Sequence, residues 1–189
     1  MRRIAIAALA FCSFATTSAA NPILTDWLYV DFDPPNYVHS VFPEPFSTLD
    51  AYIVMNLELS LYDEFRSVSF RLEVTPGMSG APTFTCLLPG ATVSGDWETG
   101  LTITSADCVE AFPATVGKLT LLYLGSPGDV LIRDHPDFPR SVVNCSDPGT
   151  VFEYCVWSHG GVGKEAVSGD CGANAADDVT WTAMKALYR

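Results

Sequence analysis

The sequence predicts an all-β fold: an antiparallel β-sandwich followed by a short C-terminal helix. Three observations carry this. Two stretches alternate strictly between apolar and polar residues. Turn residues punctuate the chain every ten residues or so. No long amphipathic helix interrupts them. In Val68-Ser69-Phe70-Arg71-Leu72-Glu73-Val74 every even position is apolar, and Ile53, Met55, Leu57, Leu59 and Leu61 share one side of a second run. A period of two puts one face on a core and the other in water, which suits antiparallel sheets better than a doubly buried parallel one.

The elements follow in chain order. Met1-Arg2-Arg3 is a basic start, residues 4–15 are apolar apart from Ser13, and Ser18-Ala19-Ala20 offers the small residues a signal peptidase reads. Residues 1–20 are therefore expected to be an export signal cleaved before Asn21, too short to span a bilayer. Residues 21–172 form the sandwich domain. A first strand is expected over 27–32, ending at Pro34-Pro35, and the alternating runs supply strands over 53–61 and 68–74. Further strands are expected over 83–87, 101–104, 118–124, 130–133, 141–144 and 151–157. Pro76-Gly77, Pro89-Gly90, Ser126-Pro127-Gly128, Asp147-Pro148-Gly149 and Gly160-Gly161 supply the turns between them. Residues 160–176, rich in Gly, Ala, Asn and Asp, read as loop and spacer. In the tail, 173–189, Asp178 can cap a short helix on which Trp181, Met184, Leu187 and Tyr188 fall on one side. Such a face needs a partner, either the sandwich or a docking component of the envelope.

Charge and cysteine usage narrow the function classes. The 189 residues carry a net charge of −12, and loss of Arg2 and Arg3 with the signal makes it −14 over 169 residues. Nucleic acid and anionic membrane surfaces repel such a protein. Cys12 leaves with the signal. Cys86, Cys108, Cys145, Cys155 and Cys171 remain, an odd number in an oxidising compartment, so one is unpaired within the chain. Cys86 and Cys108 flank strands in one half of the chain and are expected to pair. Cys145 is left with either Cys155, around the Asp147-Pro148-Gly149 turn, or Cys171. No C-x-x-C spacing suggests zinc or thiol redox chemistry.

No catalytic motif is complete. Gly77-Met78-Ser79-Gly80-Ala81-Pro82 superficially matches the nucleophile turn of trypsin-like proteases, but only His39 precedes it in the mature chain, and the chain before it is too short for that architecture. His159-Gly160-Gly161-Val162-Gly163-Lys164 lacks the first glycine and the Ser or Thr of a phosphate loop. His39, His135 and His159 are scattered. Asp31 with Asp33, and Asp134 with Asp137, are the candidate Ca²⁺ ligands, without EF-hand spacing. Trp27, Trp97 and Trp157 are candidates for an aromatic platform. The reading that results is a secreted or periplasmic, non-enzymatic interaction module, without a cofactor unless Ca²⁺ is one, and with an envelope or extracellular protein or glycan as partner. The alternatives are an extracellular glycan-active hydrolase working through paired carboxylates and a Ca²⁺-dependent carbohydrate-binding module.

The ending Thr180-Trp181-Thr182-Ala183-Met184-Lys185-Ala186-Leu187-Tyr188-Arg189 resembles the T-W-x-x-[IM]-K-x-L-Y-R tail of a group of secreted proteins from environmental bacteria. Their bodies are cohesin-like or fibronectin-like β-sandwiches with paired cysteines. The resemblance implies an extracellular or periplasmic bacterial protein and transfers no catalytic residue.

Overall fold

The structure is a computed structural model and describes residues 26–34, 36–57 and 64–171. The signal, Leu59 and Leu61 of the second alternating run, and the tail with Trp181, Met184, Leu187 and Tyr188 lie outside the described residues.

Among the described residues every regular element is a strand: β1 (Asp26–Asp31), β2 (Ser40–Val41), β3 (Thr48–Asn56), β4 (Phe65–Val74), β5 (Ser79–Cys86), β6 (Thr92–Asp96), β7 (Gly100–Val109), β8 (Ala114–Tyr123), β9 (Gly128–Arg133), β10 (Ser141–Val143), β11 (Val151–Val156) and β12 (Gly160–Val162). They form a β-sandwich. One layer runs β5-β8-β3-β1, all antiparallel. The other is built on β4, which pairs with β7 along one edge; β6 extends that side. The other edge of β4 is divided. Ser67 and Val68 pair with β10, and Arg71–Val74 pair with β9. β11 joins both β10 and β1 and so links the layers on one side. The β9 edge continues through β12 to β2.

The alternating run does what its period dictates. Val68, Phe70 and Leu72 of β4 are fully buried and belong to one core with Leu28, Val30, Ile53, Met55, Leu119 and Leu121 of the facing layer. The opposite face of β4 is not wholly wet. Ser67 and Ser69 are buried too, and their hydroxyls bond to those of Thr104 at 3.2 Å and Thr102 at 2.8 Å on β7. This hydroxyl ladder lets polar side chains lie under cover without unpaired groups. β3 begins earlier than its alternation suggests and carries a bulge between Ile53 and Val54, beyond which both faces are buried.

Three expectations are corrected. The sheets are not purely antiparallel: β1 runs parallel to β11, and β2 to β12. The segment at Gly160, read as loop, is β12. A side chain at Gly161 would lie 2.6 Å from the backbone of residues 164–166, so the glycine that hides the strand permits that segment to pack upon it. The third concerns the cysteines. Cys86 does not pair with Cys108; the disulfides are Cys108–Cys145 and Cys155–Cys171, and Cys86 is free. The reason is topological. Cys86 ends β5 in one layer, opposite Gly117 of β8, while Cys108 lies on β7 in the other. β7 and β10 flank β4, and Cys108 and Cys145 meet beside its first residues, where Phe65 opposes Val109 and Ser67 opposes Val143.

Candidate functional site

The outer side of β1 carries the most distinctive surface. Leu28 and Val30 point into the core, so Trp27, Tyr29 and Asp31 project to the other face. Beyond β11 the chain stays extended beside β1: the Trp157 N–H donates to the Leu28 carbonyl at 3.0 Å, and the Val30 N–H to that of Ser158 at 3.1 Å. This sets Trp157 against Trp27, with ring centroids 4.5 Å apart, and edge-on to Tyr29 at 5.9 Å.

The return loop completes the cluster. The buried Asp31 carboxylate accepts the backbone N–H of Asp33 at 2.8 Å and of Val38 at 3.0 Å, which pins the loop at both ends. The Asp33 carboxylate in turn takes the Asn36 amide at 3.0 Å. Tyr37 is thereby held at φ 56°, a left-handed conformation an aromatic residue rarely adopts, with its ring 6.1 Å from Tyr29 and nearly parallel to it. His39 donates from Nδ1 to the Val30 carbonyl at 2.6 Å and packs edge-on to Tyr29 at 5.5 Å. Tyr29 itself is buried. Burial, then Tyr37 and Asp31, push its phenol well above the ordinary range, so it stays protonated. Over it lie Trp157, 42% exposed, and Tyr37, 46% exposed. Five rings on β1, the extended segment after β11 and a pinned loop make an aromatic surface with hydroxyl, indole and imidazole groups among it. Such a surface suits burial against a partner.

The other candidates are placed as follows. Trp27 and Trp157 come together, whereas Trp97 packs against the core. Asp31 and Asp33 organise the loop. Asp134 is paired with Arg140 at 2.8 Å, and Asp137 follows His135, whose Nδ1 accepts the Asp137 N–H at 3.1 Å. Among the described residues one group of three possible metal donors exists, Glu64, Cys108 and Cys145, and both its sulfurs belong to a disulfide. Ser79 opens β5 and donates to the neighbouring Gly80 carbonyl at 3.3 Å, as a turn residue would. Motif and composition do not mark Tyr29, Tyr37 or His39 as site residues. The spacing of Trp27 and Tyr29, two apart on one strand, is the signal that points to the first of them.

His159 is buried, and its Nδ1 accepts the Ile132 N–H at 3.1 Å. Burial first, and the Arg133 guanidinium second, lower its pKa from 6.5. Once the chain unfolds the imidazole protonates near its ordinary value, so below pH 6.5 the unfolded state binds more protons and stability falls as pH drops. Denaturant midpoints at roughly pH 7.5 and pH 5.5 are expected to differ more for the wild type than for His159→Gln. Equal differences would contradict a neutral His159.

No protein-family model matches the chain, and no curated protein sequence is similar to it. Solved structures that share its fold include two from complexes. One is a chain of the CaDoc0917–CaCohA2 complex: TM-score 0.51, 10% identity, covering 73% of this chain and 98% of that one. The other is from the complex of the sixth cohesin of Acetivibrio cellulolyticus scaffoldin B with a Cel5 dockerin mutant: TM-score 0.50, 11% identity, covering 75% and 99%. The fold is thus cohesin-like.

Proposed function

We propose that the protein is an exported, non-enzymatic interaction module that binds a protein partner through the aromatic face of β1. The observation that carries this is the cluster of Trp27, Tyr29, Tyr37, His39 and Trp157 on an outer face, with Trp157 and Tyr37 open to solvent. The fold supports it, since the cohesin-like neighbours come from complexes of a cohesin with a dockerin. Export is supported by the two disulfides, which persist in oxidising compartments, and by the signal-like residues 1–20. The hydrolase alternative gains nothing from the cleft where Asp134 and Asp170 meet. Both carboxylates there are held in ion pairs with Arg140.

The test is capture from the envelope and medium of the producing organism on immobilised wild type, Trp157→Ala and Phe138→Ala. Phe138 is an exposed aromatic outside the cluster. A protein retained by wild type and Phe138→Ala but lost with Trp157→Ala is the expected result. Retention of a glycan instead, sensitive to the same substitution, would favour the carbohydrate-binding alternative. Retention unaffected by Trp157→Ala would rule out this face.

A further inference from the structure

A second surface, independent of the aromatic face, carries its own chemistry. In a chain of net charge −12, six lysines and arginines lie among the described residues, and three of them line one cleft of about 410 Å³: Arg71, Arg133 and Arg140. Two are neutralised. Arg133 bonds Glu73 at 2.9 Å, and Arg140 bonds Asp134 at 2.8 Å and also Asp170. Arg71 is not. Lys118 and Lys164 have carboxylate partners and Arg66 a carbonyl, so Arg71 is the one described cation whose side chain has no partner among the described residues. It also sits directly opposite Arg133 across the β4–β9 ladder. Like charges at that position repel each other, which is an odd arrangement in a protein with acidic residues to spare.

The cleft holds a second unsatisfied group. His159 lines it and is only 9% exposed. Because its Nδ1 accepts the Ile132 N–H, the ring proton is on Nε2, and that donor has no partner among the described residues. It is not one of the fully buried, unpartnered polar atoms among the described residues, so it is reachable from the cleft and can donate to an acceptor that enters. The surroundings define that occupant. The lining carries the three arginines against two carboxylates, Asp134 and Asp170; Glu73, which holds Arg133, stands outside it. Arg140 takes both lining carboxylates, which leaves Arg71 as the one lining guanidinium without a partner among the described residues; Arg71 also borders a neighbouring cleft with Glu73 and Trp97. One free positive charge suits a monoanion, whereas the two neighbouring carboxylates repel a phosphate dianion. The planar guanidinium fork of Arg71 matches a carboxylate.

We infer that this cleft is a binding site for one carboxylate group, with Arg71 supplying the counter-charge and His159 Nε2–H a further donor. The carboxylate is either that of a free organic acid or the chain terminus or acidic side chain of a partner protein. In the first case the module binds an acidic small molecule or an acidic sugar. In the second, the cleft is a recognition pocket for the end or an acidic side chain of a protein.

The test uses the full mature chain labelled with ¹⁵N and follows the Arg71 Nε–H and His159 Nε2–H resonances. The titrants are sodium acetate, glucuronate, N-acetyl-dialanine, inorganic phosphate and chloride. Saturable shifts at both resonances are expected with acetate. Saturation by glucuronate and not the peptide indicates a free acid, and the reverse indicates a protein carboxylate. Arg71→Gln is expected to weaken the carboxylate by about tenfold or more, while Arg71→Lys, which keeps the charge without the fork, weakens it less. The ligand-free Arg71→Gln protein is expected to melt no lower than wild type, because one of two apposed charges has gone. That readout separates binding from a structural role. Shifts that track chloride without saturating, unchanged affinity in Arg71→Gln, or phosphate binding more tightly than acetate would each overturn the carboxylate site.

Discussion

Replacing Cys108 and Cys145 together by serine is expected to lower the free energy of unfolding by about 4 kcal/mol, following the loop-closure entropy of a cross-link spanning 37 residues. The bond encloses the end of β7, all of β8 and β9, and β10, so without it the unfolded chain regains the freedom of a large part of both layers. It also ties β7 to β10 beside the start of β4, where the second layer begins. Urea unfolding of wild type and the double-serine variant measures the effect, the midpoint falling with little change in slope. Cys86→Ser is the control. Cys86 has no disulfide partner, and its serine variant should stay near wild type. A double-serine variant as stable as wild type, or a Cys86→Ser variant that loses as much, would contradict the pairing.

Phe70→Ala is expected to cost about 3–5 kcal/mol, the range for removing a fully enclosed aromatic side chain. Phe70 is fully buried at the middle of β4, opposite Leu101 of β7, and its ring meets Phe84 of β5 edge-on at 6.2 Å. β5 and β4 belong to opposite layers, so this contact crosses the sandwich. Removing the ring leaves a cavity between two sheets that hydrogen bonding holds in register and that cannot collapse onto it. Arg66→Ala is a useful contrast on the same strand. Its side chain is exposed and its loss should move the melt little. A Phe70→Ala loss no larger than that of Arg66→Ala would mean the core does not lie between these layers.

Much of this architecture is legible in the amino-acid sequence. Wherever one face of a strand meets the core, period two shows through, and Val68, Phe70 and Leu72 are where the alternation places them. The turns at Pro76-Gly77 and Pro89-Gly90 fall between strands because Gly77 and Gly90 take positive φ there. What stays hidden has physical causes. β12 is made of Gly160, Gly161 and Val162, and β6 carries only exposed residues, so neither strand offers an apolar face to detect. The parallel pairings of β1 with β11 and β2 with β12 join segments far apart in sequence, which periodicity does not encode. The disulfides are hidden for the same reason. Proximity along the chain favours Cys86 with Cys108, but layer assignment decides, and the two lie in opposite layers. Of the aromatic face, Trp27 and Trp157 are visible as candidates, yet that they touch follows from β1 lying beside β11. Tyr37 joins them because Asp31 pins the loop, an interaction between a carboxylate and two backbone N–H groups that leaves no mark in the pattern. The arginine cleft depends on the register of β4 on β9, which alone makes Arg71 and Arg133 neighbours.

Whether the aromatic face of β1 holds a protein partner is read most directly from one measurement: the dissociation constant of the captured partner for wild type, Trp157→Ala and Phe138→Ala. Truncating a central, solvent-open tryptophan anchor is expected to cost about 2 kcal/mol or more, a weakening of roughly thirtyfold, with Phe138→Ala near wild type. If Trp157→Ala binds as tightly as wild type, the partner docks elsewhere on the sandwich and the proposed function of this face is wrong.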